Sequence, residues 1–375
     1  MNALDYARDL IAFDSVSAVS NVAVTDYIEE ALRRLGCEIE RLEYDDAQGV
    51  RKASVIGKRG TGRGGFAYFA HSDVVPAVDW ALSHGPFEPT VREGKLYGRG
   101  ACDMKGSLAC ALAALERRRE ARLTAPVYIT VTADEEVGML GADQVAAEST
   151  LFREMVSGEA HGIIGEPTEL DVVYAHKGGT VLRVVSRGRA AHSSTTLGLN
   201  ANLAMIPFLA EMRAIHDETE HDPRWQNPEF DPPTMRWNIG INDHTHAINI
   251  TAPQSVCTLY FRKMPGIDVQ PLVDRVFAKA RECGLEITET NFGQPLYVDP
   301  RSPFVQECLE LAGRERARTV GYGTDGARLT ALKQLVVCGP GSIAQAHTNA
   351  EWISLDQLER GTELYTRMID RWCTA

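Results

Sequence analysis

At 375 residues the chain is long enough for two domains and at least one sizeable core. Its composition, 44% hydrophobic and 24% charged, is ordinary for a globular protein, and a net charge of -12 argues against a nucleic-acid partner. The start, MNALDYARDLIAFDS, is no signal peptide, no apolar run is long enough for a bilayer, and Cys37, Cys102, Cys110, Cys257, Cys283, Cys308, Cys338 and Cys373 form no C-x-x-C pair, so a cytoplasmic protein with free thiols and no membrane partner is expected.

Taken in order, residues 22–35 carry apolar side chains at helical spacing, with Gly36 as a C-cap. Residues 37–44, 53–56 and 66–70 read as strands. The glycine-rich piece 57–65 lacks phosphate-loop spacing and reads as a solvent loop. A helix follows over 104–120, apolar on one side and ending in Arg117, Arg118 and Arg119, cations favourable to its dipole. Pro126 opens a strand over 127–132. A further helix precedes a strand over 162–165. Alternating strands and helices imply an α/β domain with a largely parallel, doubly wound sheet. From about residue 178 the order changes to strand (180–185), helix (200–219, with Pro207 inside), strand (235–241), strand (255–262), helix (269–282) and strand (285–290), a small split α/β sandwich. The expected organisation is therefore a catalytic domain in two parts, 1–177 and 291–375, with an inserted domain over 178–290. Residues 219–234, rich in Pro, Asp, Asn and Glu, read as a surface loop.

The stretch around which the chain is organised runs from Ala70 to Ser107. The strand over 66–70 stops at His71-Ser72-Asp73. Two residues apart in extended chain, His71 and Asp73 point the same way. A neutral imidazole is a common transition-metal ligand, and a nearby carboxylate can hold its ring and fix the nitrogen that faces the metal. Gly98-Arg99-Gly100-Ala101-Cys102-Asp103 then turns tightly and sets down one carboxylate, Asp103. The working hypothesis is a site for two metal ions with Asp103 between them. His71, Glu135, Glu136 and Glu166 each follow a candidate strand, where open α/β sheets place their sites.

With these residues in order, the chain resembles the dinuclear zinc amidohydrolases that include acetylornithine deacetylase, succinyl-diaminopimelate desuccinylase and carboxypeptidase G. The resemblance rests on AHSDVVP, YGRGACDMKG, ADEEVG, IIGEPT, GRAAHSS, YFRKMPG and GPGSIAQAH, spread over nearly the whole chain. It implies two divalent metal ions, zinc with cobalt or manganese as alternatives. His71 and Glu166 would hold one ion and Glu136 and His347 the other. Asp103 would bridge them, Asp73 would steady His71, and Glu135 would be the general base. It also implies a cis peptide between Asp103 and Met104. The inserted domain would be a lid and the interface of a homodimer, with His192 stabilising the oxyanion in the partner subunit's site. Arg262 and Asn249 would contact the substrate, with Lys177, Thr324 and Asp325 as further contacts and Asp325 a candidate partner for a side-chain amine.

The implied reaction is hydrolysis of the amide of an N-acyl amino acid, within arginine biosynthesis if the substrate is acetylornithine. His176-Lys177-Gly178 and GPGSIAQAH look more like the deacetylase than the desuccinylase. Tyr260 departs from a D-x-R pattern and puts acetylornithine itself in question, but not the reaction class. A desuccinylase, a dipeptidase or carboxypeptidase of the same fold, and a non-catalytic metal-binding protein are the alternatives. The last should have lost Glu135 or a ligand, and this chain has lost neither. No G-x-S-x-G elbow suggests a serine hydrolase. His84, His161, His216, His221, His244 and His246 read as surface or structural residues, and Cys102 as packing.

Overall fold

The computed structural model describes residues 1–375 apart from His246 and Phe292. The chain forms two compact units. The larger comprises Met1–Ala175, Tyr297–Arg318 and Thr324–Ala375, and the smaller comprises His176–Leu296 and Thr319–Gly323.

The larger unit is built on a sheet in which the strands Glu38–Asp45, Arg51–Arg59, Val127–Thr132, Phe66–His71, His161–Pro167 and Leu335–Gly339 lie side by side in that order. The last four run parallel, and the first two join them as an antiparallel hairpin. Every residue of Phe66–His71, Val127–Thr132 and Leu335–Gly339 is buried. Parallel strands covered on both faces read as unbroken apolar runs, and FAYFA, VYITV and LVVCG are such runs. The helices Ala3–Ile11, Lys105–Arg117 and Leu355–Cys373 pack on one another, while Val22–Arg34 and Leu140–Glu148 lie against Arg51–Arg59.

Helix Lys105–Arg117 differs from the one-sided helix expected over 104–120. It is buried on every side from Lys105 to Leu115, because its small residues, among them Gly106, Ser107, Ala109, Ala111, Ala113 and Ala114, let neighbours close from all directions. It also stops earlier. Arg117, Arg118 and Arg119 pair instead with Glu359, Asp370 and Glu116. Among the elements with no counterpart in the sequence reading is a three-stranded sheet of Thr90–Arg92, Lys95–Tyr97 and Trp352–Ser354. Strands of three residues are too short for alternation to register.

The smaller unit is an antiparallel sheet, ordered Asn238–Asn242, Gln254–Phe261, Thr180–Arg187, Glu286–Asn291. The helices Ala201–His221 and Gln270–Glu282 pack on each other and on the sheet. The strand expected from residue 235 begins at Asn238, because Arg236 has φ 53, a left-handed conformation that ends extended chain. Among the described residues, no helix is long and apolar enough to cross a membrane.

Candidate metal centre

His71 is the last residue of its strand, and its buried ring makes two kinds of contact. Nδ1 lies 2.9 Å from the backbone carbonyl of Asp73 and donates to it, which turns Nε2 toward the carboxylates. Nε2 is 3.1 Å from Asp103 Oδ1 and 3.5 Å from Glu166 Oε1. Asp103 turns its second oxygen the other way. Its Oδ2 is 3.4 Å from His347 Nε2, which is also 3.1 Å from Glu136 Oε2. Two donor sets result, His71–Asp103–Glu166 and Asp103–Glu136–His347, each with its donor atoms within 4.8 Å of one another, and Asp103 belongs to both. The five residues come from five separate stretches of chain and meet at the carboxyl end of the sheet.

Local backbone explains these positions. Gly100, at φ 82, lets the chain double back before Asp103; a Cβ there would lie 2.8 Å from Val74 Cγ1. The Asp103–Met104 peptide is cis. Glu166 lies inside the strand His161–Pro167 rather than after it, so sheet register itself sets its direction. Glu135 and Glu136 sit in a short 3-10 turn flanked by left-handed Asp134 and Met139, and His347 is also left-handed at φ 60. Such conformations cluster where surrounding structure over-determines them.

Asp73 works differently from the carboxylate brace the resemblance implies. Its carbonyl, not its carboxylate, orients His71; Oδ1 is 3.7 Å from Nδ1. The carboxylate accepts hydrogen bonds from the backbone N–H groups of Glu135 and Glu136, at 3.2 and 3.4 Å, and from Ser17 Oγ at 2.7 Å. Asp73 thus joins the histidine of one donor set to the turn that carries Glu135 and Glu136.

The electrostatics suit cations. Burial opposes a proton on His71, but the hydrogen bond to Asp103 and the charges of Glu166 and Glu135 outweigh it and hold its pKa well above the ordinary value. Hydrogen bonds to Asp103 and Glu136 lift His347 to about 10. Burial would raise Asp103, yet its bonds to His347 and His71 hold it below the usual carboxylate range. Glu166 is pushed well up by burial and by Asp103, and Glu135 by burial and then by Glu166 and Glu136. Crowded carboxylates therefore rely on protons borne by two imidazoles. Divalent cations on the same nitrogens and oxygens would supply that positive charge, so these residues fit a pair of metal ions.

Among the remaining candidates, Asp325 lies close enough to the centre for its charge to act on Glu135 and Glu166 and for the charges of His71 and Asp73 to act on it. In the larger unit, Thr324 is buried and caps a short turn through Gly326 N–H, and Asp325 is buried with Oδ2 accepting from Thr132 Oγ1. Burial lifts Asp325 to about 7. In the smaller unit, His192 is exposed and its Nδ1 lies 2.7 Å from Ser194 Oγ. Asn249 is exposed beside it, its carbonyl accepting from Ser193 N–H. The Arg262 guanidinium stacks over the ring of Tyr260, 4.7 Å from its centroid. Lys177 is buried and donates to the carbonyls of Pro232 and Thr234, so its visible work is to close the segment that follows helix Ala201–His221, which begins later than the loop expected over 219–234. His246, of the His244-Thr245-His246 pair, lies outside the described residues. Sequence reasoning passed over Ser17 and Glu351. Each is a lone polar residue with no motif, recognisable only by what it touches.

The description "Peptidase family M20/M25/M40" matches residues 67–371. The acetylornithine deacetylase of Proteus mirabilis is 34% identical over 388 aligned positions, covering 99% of this chain and 97% of that protein. The acetylornithine deacetylase of Myxococcus xanthus is 31% identical, covering 97% and 96%. Among solved structures, the M20 family metallo-carboxypeptidase Sso-CP2 from Sulfolobus solfataricus superposes with a TM-score of 0.77 at 16% identity, covering 99% of both chains. Human carnosine dipeptidase 1 superposes with a TM-score of 0.73 at 16% identity, covering 98% and 96%. With a match over most of its length and relatives above 30% identity, this chain belongs to peptidase family M20/M25/M40.

Proposed function

We propose that the chain is a dinuclear metal-dependent amidohydrolase that cleaves the acyl–amine bond of an N-acyl amino acid, of the acetylornithine deacetylase type. The observation that carries this reading is the division of Asp103, one oxygen toward His71 and the other toward His347. A carboxylate shared in that way holds two like-charged ions close by screening their repulsion. His71, Asp103 and Glu166 would hold one ion, and Asp103, Glu136 and His347 the other, with zinc suited to this mixture of imidazole and carboxylate and cobalt or manganese accepted by it. When bound, such a pair polarises the amide carbonyl and makes water acidic enough to attack near neutral pH.

The chain's own groups do the rest. Glu135 is not a member of either donor set, yet its neighbour Glu136 is, which leaves it free to take a proton from the attacking water and return it to the leaving amine. Asp73 keeps Glu135 in place through its backbone. On the smaller unit, His192 would donate to the oxyanion in the partner subunit's site, and Arg262 with Asn249 would bind the substrate carboxylate. A homodimer is part of this reading. Leu203, Ile206 and Ile241 are exposed, at 67%, 59% and 61%, and Ile241 lies on Asn238–Asn242, an edge strand of the smaller sheet. An unpaired edge beside apolar side chains favours a second copy. The setting is amino-acid biosynthesis in the cytoplasm, with arginine the product line if the substrate is acetylornithine.

The test is a panel of N-acetyl amino acids, N-succinyl-diaminopimelate and dipeptides, assayed with zinc and with cobalt. N-acetyl substrates should be turned over fastest. Glu135→Ala should lower kcat by roughly 100- to 10,000-fold while retaining both metals. A mutant that keeps full activity with both metals bound would remove the proposed chemistry.

A further inference from the structure

Asp103 owes its position to a buried residue outside both donor sets. Glu351 lies four residues beyond His347, immediately before the short strand Trp352–Ser354. That strand pairs antiparallel with Lys95–Tyr97, Trp352 opposite Tyr97, and the Gly98 N–H donates to the Glu351 carbonyl at 3.1 Å. The pairing lays Glu351 along residues 98–103. Its side chain is 1% exposed. Both carboxylate oxygens are used. Oε2 accepts from Arg99 Nη1 at 2.7 Å and from Gly100 N–H at 3.0 Å, and Oε1 accepts from the N–H groups of Cys102 and Asp103 at 2.8 and 2.9 Å. Arg99 is equally buried, and its other terminal nitrogen donates to the carbonyl of Pro76 at 3.2 Å.

The turn that presents Asp103 is therefore wrapped around a fixed anion. Three backbone donors, of Gly100, Cys102 and Asp103, that would otherwise point into a low-dielectric interior are aimed at one carboxylate, an arrangement whose charged hydrogen bonds are about twice as strong as neutral ones. The same segment of chain that delivers His347 also delivers this anchor, so the bridging carboxylate and a ligand of the second donor set are held to one another through residues 347–351. We propose that Glu351 is a positioning residue: it holds the Asp103 turn in the two-metal geometry before any metal arrives, and so sets the affinity of both ions. This rests on the dinuclear reading given above.

Three measurements test it. In the metal-free full-length wild type, hydrogen exchange over residues 100–103 should already be slow, and adding zinc should slow it little further. Exchange at open-loop rates before zinc is added would overturn the proposal, and this measurement needs no variant. In Glu351→Gln, whose amide turns one donor toward backbone donors, zinc affinity measured against a chromophoric chelator should weaken by about 10- to 100-fold for both equivalents. The cobalt-substituted visible spectrum should change as well. In Glu351→Asp, which keeps the charge but is one methylene short, the loss should be smaller than in the Gln variant. A folded Gln or Asp variant with wild-type zinc affinity and an unchanged cobalt spectrum would overturn the proposal. If wild type itself bound fewer than two equivalents of zinc, the dinuclear reading would fail instead, so the two failures are distinguishable.

Discussion

At the scale of single residues, the centre shows how one residue serves two partners. Asp73 orients His71 with its carbonyl and the Glu135–Glu136 turn with its carboxylate. The two jobs separate cleanly by mutation, because only the second involves the side chain. In Asp73→Asn the amide keeps one acceptor oxygen for two N–H groups and a hydroxyl, so the turn should loosen while the His71 ring stays oriented. We expect kcat/KM to fall by about 10- to 100-fold, the usual cost of losing a support behind a metal ligand. The fall should lie mainly in kcat, because the general base is displaced. Steady-state kinetics at saturating zinc check this, and a kcat within a factor of two of wild type would show that the carboxylate is dispensable. The sequence alone placed Asp73 beside His71, since two residues in extended chain share a direction. It did not reveal that the carboxylate reaches residues sixty positions away.

At the scale of elements, the parallel strands carry the centre by close packing as much as by register. Gly165 precedes Glu166 on the strand His161–Pro167, and a Cβ there would lie 2.2 Å from Tyr68 Oη and 2.4 Å from Ser107 Oγ. Those two hydroxyls are hydrogen-bonded at 2.8 Å, and Ser107 Oγ continues to Tyr365 Oη at 2.9 Å. Gly165→Ala would force this buried chain of hydroxyls apart. Overpacking of that kind costs about 1–3 kcal/mol, and each kcal/mol lowers Tm by about 2–4 °C in a unit of this size. Thermal unfolding of the metal-free protein checks the figure, and an unchanged Tm would mean the strand can shift at no cost. The three-residue strands around Lys95–Tyr97 make the opposite point. They bury little, yet they set Glu351 beside the Asp103 turn.

At the scale of the whole molecule, the two units divide the proposed work. The larger brings the metal-ligand candidates together, while the smaller carries His192, Arg262 and Asn249 with an exposed apolar helix face and an open strand edge. If a second copy covers that face, a charge in it should separate the copies. Ile206→Glu should shift the protein from dimer to monomer in sedimentation velocity. Activity should fall with it while zinc content stays at two per chain, because the oxyanion donor comes from the other copy in this reading. A variant that remains dimeric would remove this face as the interface, and a fully active monomer would remove that role for His192.

Much of this protein was legible in its residue order. Unbroken apolar runs declared the parallel strands, and the residue types that follow them, His71 with Glu135, Glu136 and Glu166, pointed to metal chemistry, while His347 entered only through the family resemblance. Both signals are local, carried by neighbours in the chain. Tertiary structure alone decided the rest. The split of Asp103 between two histidines, the use of the Asp73 carboxylate, the all-round burial of helix Lys105–Arg117 and the grip of Glu351 on the Asp103 turn each join residues far apart in the chain. A buried polar group must find its partner wherever the fold supplies one, and nothing in the local sequence names that partner.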